Sequence, residues 1–233
     1  MSCNRKLIVR LKKSGYLVRV GCGKCPDCLK NKQKELALRL QYDLKSPRCF
    51  DSLFITLTYD DEHLEYNVID KQTGEVYALP SVNKSTIQKY LKRVRKTLNY
   101  DSNKTELYYY LTGEYGATKR PHYHAIIYLL GENTVKCSLH DALKNNWKLC
   151  DWSQLSDEKC FQTTTSIASN MYVAKHQVKR CRGTEYQAPF FQLRSKGIGY
   201  EFFNNPKDVD FLSRNMYLIL DNKYKVPAPR IYL

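Results

Sequence analysis

Arg120-Pro121-His122-Tyr123-His124-Ala125-Ile126-Ile127-Tyr128 combines two histidines with an apolar, β-prone run, which predicts a strand. Side chains two residues apart in a strand share one face, so His122 and His124 should lie side by side. Tyr123 should then point the other way, into packing. Two imidazoles on one rigid strand supply half of a metal site. The alternative is a pair of polar residues on a solvated face.

A second strand is predicted just upstream, over Glu106 to Thr112, and Gly113-Glu114-Tyr115-Gly116 should end it. A short turn through Lys119-Arg120 then leads into the histidine strand, so the two strands should pair antiparallel. Glu114 is therefore the candidate carboxylate for a site of two histidines and one acid. The alternative is a glutamate in a solvated turn, because a one-residue slip in register would reverse which side chains face the histidines.

The composition restricts the partners of the chain. Its 233 residues suffice for a sizeable core, and 38 Lys and Arg against 23 Asp and Glu give a net charge of +15. A field of that sign attracts nucleic acid, polyphosphate or anionic membrane. No apolar run is long enough to span a membrane, and the first residues lack the apolar segment of a signal peptide. Nine cysteines without that signal indicate a reducing compartment.

The N-terminal 30 residues are rich in cysteine. Residues 6–11 and 16–20 alternate as a hairpin, and a helix is predicted over 27–44. Between them, Cys22 and Cys25 have the spacing of a zinc knuckle, Cys28 follows one turn later, and Cys3 is the nearest fourth ligand. Residues 1–30 are therefore a candidate zinc-binding element. The alternative is a set of reduced thiols at the start of a helix, since a second Cys-x-x-Cys pair is missing.

A basic amphipathic helix is predicted over residues 85–98, after a strand over 53–59. The charged side chains on this helix are all positive: Lys89, Lys92, Arg93, Arg95 and Lys96. Like charges on one helix repel each other unless a polyanion is near, which favours a helix that faces phosphates. The alternative is an ordinary solvated face.

The C-terminal third contains the candidate nucleophile. A short helix over 138–147 and a strand over 158–164 precede Thr165-Ser166, which should cap a helix that carries Tyr172 and Lys175. These two residues lie on one helix face, three positions apart. The alternatives are a core aromatic and a solvated lysine. The remaining tail, from Lys196-Gly197-Ile198-Gly199 onward, is expected to be rich in loops.

Three blocks in this order resemble a known family. Phe54-Ile55-Thr56-Leu57-Thr58, His122-Tyr123-His124 and Tyr172-Val173-Ala174-Lys175 resemble the motifs of the HUH (His-hydrophobe-His) rolling-circle replication endonucleases. The cysteine block, Gly113-Glu114-Tyr115-Gly116 and Lys196-Gly197-Ile198-Gly199 resemble more closely the replication initiators of gokushovirus-type microviruses, which are phages with single-stranded DNA. The resemblance covers most of the chain.

The resemblance implies an α+β fold in which helices flank a central antiparallel β-sheet, related to the RNA-recognition (ferredoxin-like) fold, in a single domain over 1–233. It implies an endonuclease that nicks and joins single-stranded DNA at the phage replication origin and so initiates rolling-circle replication. Tyr172 would form a 5′-phosphotyrosine intermediate with Lys175 assisting. His122, His124 and Glu114 would hold Mn²⁺ or Mg²⁺.

The remaining expectations concern DNA and partners. Phosphates should contact basic residues on two helices, namely Lys92, Arg93, Arg95, Lys96, Lys179 and Arg180. The expected partners are the origin DNA and the host replication helicase and polymerase, in the host bacterial cytoplasm and without a membrane. One departure from the pattern is His176, which stands where relatives often carry a second tyrosine. Such relatives alternate two tyrosines between initiation and termination.

Two other functions remain open. One is a non-catalytic, zinc-stabilised module that binds single-stranded nucleic acid, which explains the charge and the 19 tyrosines but not the ordered motifs. The other is a different HUH enzyme, such as a plasmid initiator, relaxase or transposase. A covalent DNA adduct separates the first from an enzyme, and the nicked sequence separates the second.

Overall fold

The structure is a computed structural model that describes residues 3–10, 15–65, 72–75, 79–163, 187–215, 217–220, 224–229 and 232. Its centre is a five-stranded antiparallel sheet with helices on both faces, which confirms the predicted α+β class. The helices are α1 (Pro26–Lys45), α2 (Lys84–Leu98), α3 (Leu139–Asn146), α4 (Asp157–Cys160) and α5 (Pro206–Asn215). None of the helices within the described ranges is both long and apolar enough to cross a membrane.

The central sheet has the strand order β6-β3-β5-β4-β7. Its strands are β3 (Cys49–Leu57), β4 (Thr105–Tyr115), β5 (Pro121–Gly131), β6 (Phe161–Thr163) and β7 (Phe191–Arg194). The long hairpin of β4 and β5 pairs without a break from Thr105 opposite Gly131 to Tyr115 opposite Pro121. Two separate hairpins complete the strands, β1 (Leu7–Arg10) with β2 (Leu17–Val20), and β8 (Tyr217–Leu220) with β9 (Tyr224–Pro227).

The sheet separates two hydrophobic cores, because alternate side chains of its strands point to opposite faces. On the first face, α2 and α3 cover Ile55, Leu111 and Ile127. On the second face, α1 and the C-terminal elements cover Phe54 and Tyr128. The residues that extend the second face toward the end of β5 are the candidate metal ligands.

Most of the predicted elements are confirmed, with shifted ends. The hairpin near the N-terminus, α1 and α2 lie where the sequence predicted them. The side chain of Asn83 accepts hydrogen bonds from the backbone N–H of Ser85 and Thr86, which fixes the start of α2. The predicted strand over 158–164 shortens to β6, because residues 157–160 form α4. The tail contains α5 and a hairpin where loops were expected.

Lys196-Gly197-Ile198-Gly199 anchors the C-terminal segment to α1. Asp43 of α1 accepts hydrogen bonds from the Gly199 backbone N–H at 2.6 Å and from the Tyr128 hydroxyl at 2.5 Å. Gly199 has a φ of 91°, and a Cβ there would lie 2.7 Å from the Cβ of Arg39, so glycine is required. Burial raises the pKa of Asp43 to about 6.

Candidate metal centre

The β4–β5 hairpin places Glu114 directly opposite His122. Strand β4 does not end at Gly113 as predicted but continues through Tyr115, because its ladder with β5 persists to Pro121. Glu114 is therefore part of a central strand and only 3% exposed. The alternative of a solvated turn glutamate is wrong. Its carboxylate lies on the face that also carries His122 and His124.

Three ligand atoms converge at this point. The Nε2 atoms of His122 and His124 each lie 3.3 Å from the same oxygen, Oε1 of Glu114. The one ligand atom that each residue offers lies within 4.8 Å of the other two. Glu114 and His124 are buried and His122 is half-buried, so the cluster is reached from the His122 side.

Strand β3 orients His124 from the opposite side. The Thr56 hydroxyl lies 3.0 Å from Nδ1 of His124, and Thr56 is the residue paired with His124 across the ladder. If Nδ1 donates to this hydroxyl, Nε2 is left with its lone pair toward Glu114. The ring of Phe54 stacks on the His124 ring, with centroids 5.6 Å apart. A partner on the second nitrogen is typical of histidines that bind metals.

Tyr123 points into the first core, as the alternation predicted. Its hydroxyl lies 2.8 Å from the Tyr59 hydroxyl and accepts the backbone N–H of Asn83. Burial raises the pKa of Tyr123 to about 12, so this phenol stays protonated at neutral pH. On the same face, a Cβ at Gly113 would lie 3.0 Å from the Tyr123 ring, which explains the first glycine of Gly113-Glu114-Tyr115-Gly116.

The turn between the two strands is held by Arg120. Its guanidinium donates to the Tyr59 carbonyl at 2.6 Å and pairs with the Asp61 carboxylate at 2.5 Å. These contacts tie the start of β5 to the segment that follows β3. The turn next to His122 is thereby fixed on the side from which the cluster is reached.

The donor set fits a divalent cation. Two neutral imidazoles and one carboxylate match the ligands that Mn²⁺ and related ions accept, whereas Mg²⁺ prefers oxygen ligands. Three protein ligands also leave positions for other oxygen donors. The arrangement can therefore hold an ion that still contacts a phosphate.

Comparison with known sequences identifies the family. A sequence model of the replication-associated protein ORF2 family matches residues 52–181, more than half of the chain. This protein belongs to the replication-associated protein ORF2 family. The matched segment contains the whole of the candidate metal centre and also Tyr172 and Lys175.

Curated relatives of this replication-associated protein come from bacterial viruses. The chain is 29% identical over 227 residues to the replication-associated protein ORF2 of Spiroplasma virus 4, covering 91% of this chain and 67% of that protein. It is 28% identical over 225 residues to the replication-associated protein VP4 of Bdellovibrio phage phiMH2K, covering 91% and 65%. The chain thus spans about two thirds of the length of these relatives.

One solved structure is also similar, at a low level. It is the N-terminal nuclease domain of the minute virus of mice non-structural protein 1, with 14% identity and a TM-score of 0.20, covering 95% of this chain and 67% of that one. Its description reports Zn²⁺ coordination in the active-site pocket and DNA recognition at the replication origin. A TM-score this low carries no inference for the replication-associated protein described here.

The predicted phosphate contacts on α2 lie on the other side of the sheet. Helix α2 packs on the first face, whereas Glu114 and the histidines lie on the second. Lys92, Arg93 and Lys96 are exposed, and Arg95 lies 5.6 Å from the centroid of the Tyr109 ring. A DNA strand that contacts both α2 and the metal centre has to pass around an edge of the sheet.

A groove on the second face was not anticipated from the sequence. It has a volume of about 480 Å³ between α1 and β7. Basic and polar residues line it, among them Lys32, Arg39, Gln192 and Arg194. Gln192 pairs with Thr112, which pairs with His124, so the groove opens two strands from the metal centre, or about 10 Å.

The other predicted site residues divide into two groups. Tyr172, Lys175, Lys179 and Arg180 lie outside the described residues, as does His176. The four predicted zinc ligands are described, and the structure brings them together into a second cluster, made of Cys3, Cys22, Cys25 and Cys28. Thr56 was not identified as a functional residue from the sequence, although its position two residues after Phe54 placed it on the same face.

Proposed function

We propose that this protein is a metal-dependent endonuclease that nicks and rejoins single-stranded DNA at the origin of a phage genome and thereby initiates rolling-circle replication. The observation that carries the proposal is the convergence of Glu114, His122 and His124 on one sheet face in a chain of a replication-associated family. The expected cofactor is Mn²⁺ or Mg²⁺. When bound, the ion polarises a phosphate oxygen as a Lewis acid.

The chain's own residues then supply the rest of the chemistry. His122 and His124 act as neutral ligands through Nε2, with the Thr56 hydroxyl maintaining the orientation of His124. The oxygen of Tyr172 attacks the scissile phosphorus and gives up its phenolic proton, and the bond from phosphorus to the 3′ oxygen breaks. The departing 3′ oxygen takes a proton. The products are a 5′-phosphotyrosine and a free 3′-hydroxyl, and joining is the reverse reaction.

Tyr172 is preferred as the nucleophile because the described tyrosines on the metal face are poorly placed. Tyr110 and Tyr128 are fully buried under α1 and the C-terminal elements. Tyr108 stacks on Tyr128, and its hydroxyl donates to Glu106. Lys175 lies one helical turn from Tyr172 in the sequence, where a positive charge favours the phenolate or offsets phosphate charge.

The groove beside β7 is the surface on which we place the incoming strand. It lies on the metal face and carries Arg194, whose side chain is exposed. Lys179 and Arg180 follow the nucleophile in sequence and extend the positive charge. The residues predicted on α2 remain candidates for a second contact on the far side of the sheet. The expected partners beyond DNA are the host helicase and polymerase, in the host bacterial cytoplasm.

A covalent adduct tests the proposal. The protein is incubated with single-stranded origin DNA and Mn²⁺, denatured and separated on a gel, beside Tyr172→Phe and a matched control, Tyr200→Phe, which changes an exposed tyrosine. We expect a metal-dependent adduct in the wild type and the control but not in Tyr172→Phe. An adduct that survives in Tyr172→Phe moves the nucleophile elsewhere. No adduct in any protein, with salt-sensitive DNA binding intact, supports the non-catalytic binding module.

A further inference from the structure

The four cysteines near the N-terminus form a cluster separate from the candidate active site. Cys3 precedes β1, Cys22 follows β2, Cys25 is the residue before α1, and Cys28 lies in its first turn. Their four sulfur atoms lie within 4.8 Å of one another. Cys3 and Cys28 are buried, at 5% and 7% exposure. We propose that these four thiolates bind one structural Zn²⁺ ion in a closed tetrahedral site.

The backbone already has the form that such a site needs. The hairpin pairs Leu7 with Val20, so Cys3 and Cys22 extend from the same open end. The backbone N–H of Cys22 donates to Sγ of Cys3 at 3.4 Å, and that of Cys25 donates to Sγ of Cys22 at 3.3 Å. Hydrogen bonds from N–H groups stabilise thiolates, which are the form that binds metal.

Glycine at position 21 gives the sulfurs room. A Cβ at Gly21 would lie 2.7 Å from Sγ of Cys28, so any larger residue there would push this sulfur out of the cluster. Gly23 has a φ of 74°, which lets the chain turn between Cys22 and Cys25. Both glycines thus serve the convergence of the four sulfurs.

The sulfur spacing favours a metal over disulfides. Sγ of Cys25 lies 3.7 Å from Sγ of Cys3, far beyond a disulfide bond of about 2.05 Å. A tetrahedron with Zn–S bonds of about 2.3 Å has sulfur–sulfur edges of about 3.8 Å. A tetrathiolate set with no open position is also the usual ligand set of structural zinc.

The hairpin needs such a link, because it buries little of its own surface. Leu7 is 51% exposed, Ile8 63% and Leu17 64%. A two-stranded hairpin without a core is marginally stable in water. Zinc would connect this hairpin to the start of α1, the helix whose Lys32 and Arg39 line the groove beside β7. The ion therefore contributes folding energy to the N-terminal element.

Metal analysis of the purified protein tests the inference. After dialysis against a weak chelator, we expect about one zinc per chain in the wild type and in His122→Ala, which disables the other candidate centre. Cys25→Ser should lose the zinc, whereas Cys137→Ser, at a half-buried cysteine outside the cluster, should keep it. Zinc that persists in Cys25→Ser, or its absence from the wild type, overturns the proposal.

Spectroscopy and hydrogen exchange keep the test independent of how the variants fold. Co²⁺ exchanged into the wild type should give the thiolate charge-transfer and tetrahedral d–d bands of a Cys₄ site. Chelation should remove amide protection from β1 and β2 and leave β4 and β5 protected. Two disulfides in the unreduced intact mass, or iron in place of zinc, contradict the inference. The DNA adduct assay is a separate readout, so loss of zinc and loss of the nuclease are distinguishable.

Discussion

Glu114 is the residue on which the candidate metal centre depends most, because one of its oxygens faces both histidines at 3.3 Å. It is also buried in a central strand, where an unpaired carboxylate would be costly. A cation between these three side chains removes that cost. The physical reason for a carboxylate at this position is thus the same as the functional one.

Replacing Glu114 by Gln should weaken Mn²⁺ binding by at least about tenfold, because a negative ligand is lost while the shape is kept. DNA adduct formation should fall in parallel. Isothermal titration with Mn²⁺ and the denaturing gel measure the two effects. Glu106→Gln is the matched control, since Glu106 lies on the same strand with a half-exposed side chain. Equal metal affinity in Glu114→Gln and the wild type contradicts the assignment.

Thr56→Val should also reduce Mn²⁺ affinity, by about tenfold or more, because the Nδ1 partner of His124 is lost. Thr112→Val is the control from the neighbouring strand. Thr112 pairs with His124 from the other side, yet its buried hydroxyl has no hydrogen-bond partner within the described part of the chain. Its replacement should leave metal affinity unchanged, as titration with Mn²⁺ measures. A reversed order of the two effects rules out the role given to Thr56.

At the scale of elements, the contact between α1 and Lys196-Gly197-Ile198-Gly199 determines how the second face is closed. Asp43, Tyr128 and Gly199 share one buried set of hydrogen bonds. The Tyr232 hydroxyl donates to the Gly199 carbonyl at 2.8 Å. This contact fixes α1 against β5, and α1 forms one wall of the groove.

Asp43 makes the stability of the fold depend on pH. Its folded pKa of about 6 lies above the ordinary value of 3.8, so its contribution is greatest at low pH and is lost as pH rises through 6. Relative to Asp43→Asn, the wild type should lose about 1–2 kcal/mol of unfolding free energy between about pH 5 and pH 8. Urea unfolding at both pH values measures this. Asp210→Asn, on the exposed side of α5, should follow the wild type.

At the scale of the whole molecule, the sheet separates two basic surfaces. The net charge of +15 attracts DNA to both, but only the groove beside β7 shares a face with the metal centre. The side chains on α2 point away from that face. Charge alone therefore does not say which surface positions the scissile phosphate.

Arg194→Ala should weaken binding of single-stranded DNA and reduce the slope of log affinity against log salt by about 0.7, the value for one lost phosphate contact. Lys96→Ala removes an equal charge from α2. If the groove holds the strand, the adduct yield should fall in Arg194→Ala and stay near the wild-type level in Lys96→Ala. Fluorescence anisotropy over a salt series and the adduct gel give both readouts. The opposite ranking places the strand on α2.

Much of this architecture could be predicted from local sequence. The alternation around His122 predicted that the two histidines share a face, and the spacing of Cys22, Cys25 and Cys28 predicted their cluster with Cys3. Both predictions depend on neighbours within a few residues or one hairpin. Periodicity likewise gave the bounds of α2 within one residue, because its apolar stripe is regular.

Pairing between distant segments was decided only by the tertiary structure. The sequence left the register of Glu114 open, and the unbroken β4–β5 ladder placed it opposite His122. It likewise did not reveal Thr56 as the partner of His124, nor the placement of α2 behind the sheet. Residues 56 and 124 meet through a cross-strand pairing between segments far apart in the chain, and such pairings depend on the packing of the whole sheet. The sequence by itself therefore determined the ligand types and their local spacing, and the assembled sheet determined which face they share and what lies beside them.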